Sequence, residues 1–318
     1  MGNLFMLKQR KNKHKRFDEI TEEWLNKAKL RLKQQSFCRY YSIVYNHILP
    51  YFKDFYISTL TRETVEKLID FKLQALSPKT THDIACVLLQ IIRFAERKGY
   101  VADFNYDIDL PKLQTKELKI LNFTDEQKLN AYLKNNLTLE NFSIILAKTT
   151  GLRIGEICAL KWSDFSLEKG TVYINKTIQR VKDFEPNATA KTKIIITAPK
   201  SQKSIREIPL PNSLISIVKK LYNRDNPDTY ILTNTKKYIE PRIIQRKFKK
   251  ILRMTGIIDI TFHSLRHLFA TKAVESGFDI KSLSEILGHA TVKFTLERYI
   301  HSSFELKLAN MNKLAVCF

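Results

Sequence analysis

Four short strings in the C-terminal part of this 318-residue chain carry side chains that could do chemistry. The strings are TTGLRIGEICALKWSD with Arg153, APKSQKSIREIPLP with Lys200, TFHSLRHLFAT with His263 and Arg266, and LGHATVKFTLERYIH with His289 and Tyr299. His263 and Arg266 stand three residues apart, so they share one face of a helix. The cationic side chains suit an anionic partner. The histidines are also compatible with a metal centre.

The histidine spacing by itself is compatible with a zinc hydrolase. His263 and His267 stand at i, i+4, the spacing of two ligands in the H-E-x-x-H motif, and His289 could supply a third ligand. However, Ser264 occupies the position of the glutamate base, and Arg266 would place a cation beside the ion. Zinc hydrolysis is therefore the weaker alternative, and we interpret His267 as a residue that packs in the core or supports a neighbouring site residue.

The charge balance favours a polyanionic partner. Lys and Arg number 54 against 32 Asp and Glu, which leaves a net charge of +22, and nucleic acid is the first candidate for such an excess. The eight glycines form neither G-x-G-x-x-G nor G-x-x-x-x-G-K-S/T. This pattern argues against a Rossmann dinucleotide site and an ATP P-loop, so we expect no cofactor.

The sequence also bears on the expected location. The four cysteines lie far apart and form no C-x-x-C pair, which is typical of reduced thiols. The N-terminal MGNLFMLKQRKNKHKR lacks the apolar segment of a signal peptide, and no stretch approaches about 18 uninterrupted apolar residues. We therefore expect a cytoplasmic protein with no membrane partner.

The elements that must position the candidate residues form two predicted domains. Residues 1–16 hold six Lys or Arg and no acid, which predicts a basic N-terminal arm. Apolar residues recur at helical spacing over residues 17–104, which predicts a compact domain of about four helices. Its last helix has clear ends, because Ser77 precedes Pro78 at the start and Gly99 follows the final turn.

Residues 105–121 are polar and lack periodicity, which predicts a linker to a second domain over residues 122–318. Thr124, followed by acidic and amide residues, suggests the first helix start of that domain. The β-branched strings TVYINKTI, KIIITAPK and REIPLP then predict a small antiparallel sheet with an excursion around residues 180–192, and helices return after it.

Together, TGLRIGE, PKSQKSIREIPLP, HSLRH and LGHATVKFTLERY resemble the tyrosine recombinase, or phage integrase, family in order and spacing. The resemblance covers residues 122 to the end, and the preceding helices are similar to the core-binding domain of that family. It implies a mainly α fold with a small antiparallel β-sheet. An N-terminal SAM-like core-binding domain would precede an α+β catalytic domain.

The same resemblance implies a role for each candidate residue. Tyr299 would be the nucleophile, Arg153 and Arg266 would hold the scissile phosphate, Lys200 would be the general acid for the leaving 5′-oxygen, His263 a general acid/base, and His289 a phosphate or transition-state ligand. Glu156 matches an acidic position that supports the first helix. The planar guanidinium group of arginine can bind two phosphate oxygens at once. Cationic side chains that take the role of Mg²⁺ remove the need for a metal.

By the same resemblance, the partners would be double-stranded DNA attachment sites and three further copies of the chain in a synaptic tetramer. Accessory DNA-bending or excision factors are further candidates. The excursion near residues 180–192 and the string KSIREIPLP favour an integrase of a mobile element over an Xer-type resolvase. A non-catalytic helix-turn-helix protein is the other alternative, because VESGFDIKSLSEILGHATVKFTLERY has the pattern of helix, turn and helix.

The C-terminal tail carries an apolar stripe at helical spacing, formed by Phe304, Leu308, Met311, Ala315 and Phe318. The stripe could cover the core of its own chain or dock on a neighbouring copy. We favour docking on a neighbour because the tail directly follows Tyr299.

Overall fold

The computed structural model describes residues 15–101, 103–113, 119–184, 190–199, 202–289 and 291–299, together with residues 308, 311 and 312. Contacts within the chain divide it into two units. The first comprises residues 1–116 and 181–191, and the second comprises residues 117–180 and 192–318. Across the described ranges, no helix is both long enough and apolar enough to cross a membrane.

The first unit is a bundle of helices. Its α-helices are α1 (Phe17–Arg31), α2 (Gln34–Ile43), α3 (Leu49–Phe52), α4 (Arg62–Leu73) and α5 (Pro78–Arg97), and a 3₁₀ turn spans Ile57–Thr59. A π-helical turn at Val44–Ile48 joins α2 to α3. It ends just before Pro50, which has no N–H for the regular hydrogen-bond ladder.

The ends of α5 confirm the prediction from the sequence. The Ser77 hydroxyl accepts a hydrogen bond from the Thr80 N–H, Pro78 occupies the first turn, and Gly99 follows with a φ of 72°. The apolar face of α5 includes Ile84, Leu88 and Ile91, which lie in the core of the bundle. Local capping and helical periodicity are thus sufficient to define this helix.

Two residues assigned to the predicted basic arm lie against the bundle. The Lys15 carbonyl accepts a hydrogen bond from the Ile57 N–H, and the Arg16 guanidinium bonds Asp18 and Asp54 at 3.2 Å each. Arg16 therefore has acidic partners within the fold. The remaining arm residues, 1–14, lie outside the described ranges.

The described part of the second unit contains eight α-helices around two small sheets. The helices are α6 (Phe123–Asn135), α7 (Leu139–Thr150), α8 (Ile154–Ala159), α9 (Asn212–Leu221), α10 (Pro241–Met254), α11 (Phe262–Glu275), α12 (Ile280–Leu287) and α13 (Val292–Tyr299). The predicted helix start at Thr124 is wrong by two residues. Asn122 caps α6, because its side chain accepts a hydrogen bond from the Asp125 N–H.

The sheets contain β1 (Phe165–Ser166), β2 (Thr171–Ile174), β3 (Thr177–Lys182), β4 (Thr192–Thr197) and β5 (Arg206–Pro209). The order β1-β2-β5 forms one antiparallel sheet, and β3 and β4 form a second sheet. The string TVYINKTI, interpreted above as one strand, is therefore two strands in different sheets. Thr171–Ile174 pairs with β5, and the chain leaves that sheet at Asn175.

The core of the second unit joins this sheet to the helices. Val172 pairs with Ile208 across β2 and β5, and both side chains are essentially inaccessible to solvent. They belong to the same apolar cluster as Phe142 of α7 and Leu265 of α11. This packing brings segments more than 100 residues apart in sequence to one set of helix ends, where Arg153, Arg266 and His289 lie.

Candidate active site

A glycine turn places Arg153 at the start of α8. Gly151 ends α7 with a left-handed φ of 66°, and a Cβ there would lie 2.6 Å from Phe269 and 2.7 Å from Leu287. Only glycine therefore fits this conformation and this close approach. Two residues later, Arg153 is the N-cap of α8 and keeps 38% of its side chain exposed.

Arg153 is held from one side by Glu156. The Arg153 N–H donates to Oε2 of Glu156 at 2.9 Å, and Arg153 Nη1 donates to Oε1 at 2.8 Å. Glu156 is 2% exposed. Burial by itself would raise the pKa of Glu156, but the charges of Arg206 and Arg153 outweigh it and hold that pKa below its ordinary value. The carboxylate is thus kept ionised beside both guanidinium groups.

His263 and Arg266 both lie on α11, which begins with Thr261 as its cap. Their environments differ, since His263 is exposed and Arg266 is 2% exposed. Arg266 Nη1 donates to the Gly151 carbonyl at 2.7 Å, so this guanidinium reaches the same turn that presents Arg153.

His289 lies buried directly after the Gly288 turn that ends α12. Its Nδ1 is 2.8 Å from the hydroxyl of Thr295, a fully buried residue of α13. Burial and the charges of Arg266, Arg153, Arg206 and His263 lower the pKa of His289 to about 3. The imidazole is therefore neutral near pH 7, and its low pKa reflects the positive potential of this region.

Arg206 is a further cation at this site, although it is not among the candidate residues predicted from the motifs. Arg206 Nη1 and Nη2 donate to the two carboxylate oxygens of Glu156 at 3.3 and 3.0 Å. A signal for it was present in REIPLP. Strand residues alternate between two faces, so an inward-facing Ile208 requires an inward-facing Arg206, and a buried arginine calls for anionic partners.

The C-terminal carbonyls of α12 are where the three arginines meet. Arg206 Nε donates to Ile286 O at 2.6 Å, Arg266 Nη2 donates to Leu287 O at 2.7 Å, and Arg153 Nη2 donates to Gly288 O at 3.3 Å. A helix C-terminus has unpaired carbonyls and a partial negative charge, and both favour cations. We call Arg153, Arg206 and Arg266 the arginine cluster.

Two of the candidate residues are not located by these contacts. Lys200 lies outside the described residues. Tyr299 is the last residue of α13, and the structure describes its backbone only. The structure thus brings Arg153, Arg266 and His289 together with Glu156, and His263 lies on the same helix as Arg266.

The zinc alternative gains no support from this geometry. The His263 and His267 rings meet edge to face, with centroids 4.6 Å apart. Within the described ranges, no group of three His, Cys, Asp or Glu side chains is arranged to hold a metal ion. His267 is buried on α11, as expected for a packing residue.

Comparison with protein families agrees with the motifs. Residues 113–305 match the model of the phage integrase family, and residues 16–73 match the model of the phage integrase N-terminal SAM-like domain. The first match covers more than half of the chain. The chain therefore belongs to the phage integrase family, and the family and fold class predicted from the sequence are confirmed.

One relative and two solved structures illustrate the similarity. The chain is 32% identical over 250 residues to a protein named tyrosine recombinase XerC-like from Caldanaerobacter subterraneus subsp. tengcongensis, a match that spans 72% of this chain and 63% of that protein. The fold resembles the Tn1549 transposon integrase in complex with transposon right end DNA, with a TM-score of 0.78 at 18% identity over 95% of this chain and 100% of that one.

It also resembles a lambda integrase tetramer bound to a Holliday junction, with a TM-score of 0.68 at 17% identity over 94% of this chain and 82% of that one. At these identities the structural likeness establishes the fold.

Proposed function

We propose that the chain is a tyrosine site-specific recombinase that cuts and rejoins duplex DNA to integrate or excise a mobile element. The observation that carries this proposal is the arginine cluster with His289 at the end of α12, directly followed by α13, which ends at Tyr299. In this proposal, Arg153 and Arg266 bind the phosphate at the end of α12, and the next helix supplies the nucleophile Tyr299.

In the proposed reaction, the Tyr299 oxygen attacks the scissile phosphorus and the bond from phosphorus to the 5′-oxygen breaks. His263 accepts the phenolic proton, and Lys200 donates a proton to the leaving 5′-oxygen. A 3′-phosphotyrosine and a free 5′-hydroxyl result. A 5′-hydroxyl from another strand reverses the step, so the phosphodiester is restored without ATP or an external oxidant.

The cations act on the charge that develops on the non-bridging phosphate oxygens. Arg153 is partly exposed and Arg266 is buried, so the two guanidinium groups would contact the phosphate from different depths. His289, with its pKa near 3, would act as a neutral donor. If the Thr295 hydroxyl donates to Nδ1, the imidazole proton lies on Nε2 and can donate to a phosphate oxygen.

A basic helix face offers a surface for the DNA backbone. Arg242, Arg246, Lys249 and Arg253 follow one another at i, i+4, i+7 and i+11 on α10, and all four are exposed. The opposite face, which includes Phe248, is buried in the core. Such a stripe would neutralise several phosphates, and affinity should then fall steeply with salt.

Strand exchange involves two duplexes, so we propose that four copies of the chain assemble on two attachment sites, with accessory DNA-bending or excision factors setting the direction. Likeness to the Tn1549 integrase and the lambda integrase tetramer supports a mobile-element role and this assembly. The family also includes the XerC-like relative, so an Xer-type resolvase is the alternative function.

We also propose domain limits at residues 16, 104 and 121, and a cytoplasmic location for the protein.

The test uses a pool of duplexes with a randomised recognition region and one nick, incubated with the full chain in excess EDTA. We expect a detergent-resistant adduct between protein and DNA, and sequencing of the trapped DNA would give the target site. Tyr299→Phe should abolish the adduct and retain DNA binding. An adduct that persists in Tyr299→Phe would refute the assignment, and activity lost upon chelation would revive the zinc alternative.

The two phosphate-binding arginines have their own variants in that assay. Arg153→Lys and Arg266→Lys keep the charge but lose the planar fork, so we expect each to slow adduct formation nearly as much as alanine does. Full activity in both lysine variants would show that charge alone suffices.

A further inference from the structure

Arg206 is a buried charge on the core face of β5. The strand alternates buried and exposed positions, which turns Arg206 and Ile208 inward, and Arg206 is 9% exposed. Arg206 lies opposite Ile174 in the antiparallel pairing of β5 with β2, so the sheet defines its backbone position. The guanidinium therefore extends from a rigid strand toward α8 and α12.

Each nitrogen of this guanidinium donates at least one hydrogen bond within the protein. Nε donates to Ile286 O of α12 at 2.6 Å, Nη1 donates to Ser204 O at 2.9 Å, and Nη1 and Nη2 donate to the Glu156 carboxylate. Gly288 lies against it, because a Cβ added there would be 3.0 Å from Nη1. The contacts leave Arg206 little freedom to move.

The Glu156 carboxylate is shared equally between two arginines. Oε1 accepts from Arg153 Nη1 and Arg206 Nη1, and Oε2 accepts from the Arg153 N–H and Arg206 Nη2. If the two bonds from Arg206 are lost, the carboxylate keeps two of its four hydrogen bonds and turns its unsatisfied oxygens toward the charged partner that remains. Here that partner is Arg153, which is the partly exposed member of the cluster.

We propose that Arg206 is a positioning residue for the phosphate-binding arginine. By bonding both carboxylate oxygens of Glu156, it competes with Arg153 for them, limits the hold of this carboxylate on Arg153 and leaves that guanidinium directed at the scissile phosphate. Through Ile286 O it also fixes the end of α12, whose Gly288 carbonyl is bonded by Arg153. The inference rests on the proposed recombinase function.

This role makes a prediction that a merely structural role does not. If Glu156 captures Arg153 when Arg206 is removed, then removal of the Glu156 charge as well should restore part of the activity. Arg206→Met should therefore form the phosphotyrosine adduct more slowly than Arg206→Met combined with Glu156→Gln. Two independent structural losses would instead multiply their effects.

The experiment measures single-turnover adduct formation on a nicked duplex at saturating DNA, together with DNA affinity and thermal stability. We expect Arg206→Met to reduce the rate by at least about tenfold while DNA affinity changes by less than about threefold, because the loss falls on the transition state. Arg206→Lys should be intermediate, since an ammonium keeps the charge but lacks the planar fork that binds both Glu156 oxygens.

Lys148→Met is the matched control. Lys148 is 15% exposed and pairs at 2.6 Å with Glu126, a buried carboxylate of the same unit outside the arginine cluster. Its loss should lower the melting temperature and leave the rate per folded molecule within about twofold of the wild type. If Arg206→Met does not fold, the same rate comparison is made with Arg206→Lys alone and combined with Glu156→Gln.

The outcomes separate the two proposals. An Arg206 variant as fast as Lys148→Met, or a double variant slower than the single Arg206 variant, would overturn the positioning role while leaving the recombinase function intact. A wild-type chain that forms no adduct, or a Tyr299→Phe chain that still forms one, would overturn the proposed function and this inference with it.

Discussion

Replacement of Glu156 by Gln tests how strongly one carboxylate holds the arginine cluster. Glutamine keeps the shape of the side chain but removes its charge, and Arg206, 9% exposed, is left without a charged partner among the bonds described above. Breaking a buried ion pair on one side costs about 3–5 kcal/mol. The glutamine oxygen still accepts a hydrogen bond, so we expect about 3 kcal/mol of destabilisation at pH 7.

The pH dependence provides the sharper test. The pKa of Glu156 is below its ordinary value in the folded protein, so folding favours the ionised form. Its contribution to stability is complete above the ordinary pKa of about 4.5 and is lost as the pH falls below it. Protonated Glu and Gln are both neutral, so the difference in unfolding free energy between wild type and Glu156→Gln should shrink toward low pH.

The assay is urea denaturation of both chains from pH 7 down to the lowest pH at which they fold. Glu207→Gln serves as a control, because Glu207 is the exposed neighbour of Arg206 on β5. It should change stability by less than about 0.5 kcal/mol. Two results would refute the argument that the Glu156 charge holds the arginine cluster. The loss of unfolding free energy in Glu156→Gln could stay below about 1 kcal/mol at pH 7, or it could be the same at every pH.

Three further predictions concern the turn, the histidine and the DNA surface. Gly288→Ala should destabilise the chain by about 1 kcal/mol more than Gly277→Ala in urea denaturation, because both have positive φ but only Gly288 has neighbours that an added Cβ would meet; equal losses would contradict this. His289 has a folded pKa of about 3 against an ordinary 6.5, so protonation favours the unfolded chain and stability falls as pH drops through that window. The unfolding free energy of His289→Gln should therefore fall less steeply with decreasing pH than that of the wild type. Parallel curves of unfolding free energy against pH would show that His289 is not the group responsible. Arg246→Ala should reduce the slope of log affinity against log salt by about 0.9 in a DNA titration, and an unchanged slope would remove α10 from the DNA surface.

Much of this fold follows from local features of the sequence. Ser77 and Pro78 define the start of α5, and Gly151 ends α7 and places Arg153 at the next helix start. Caps, glycine turns and apolar spacing act over a few residues, so neighbours in the chain are sufficient to predict them. A boundary is not defined locally where two polar residues can serve as the cap, as Asn122 and Thr124 can at the start of α6.

Other features depend on contacts between distant segments. The split of TVYINKTI into strands of two sheets depends on pairing with β4 and β5, which the string itself does not encode. His263 and Arg266 share a helix by spacing, but only packing against the Gly151 turn buries Arg266 and leaves His263 exposed.

The sequence alone thus determined the family and the fold class and supplied the candidates for the reacting residues, because motifs and periodicity are local. Only the tertiary structure decided that Arg206 joins Arg153 and Arg266 at the end of α12. The physical reason is that a buried guanidinium is stable only where distant segments supply acceptors for its donors. The distant acceptors are Glu156 and Ile286, 50 and 80 residues from Arg206 in the chain, and they meet it only when the unit is folded.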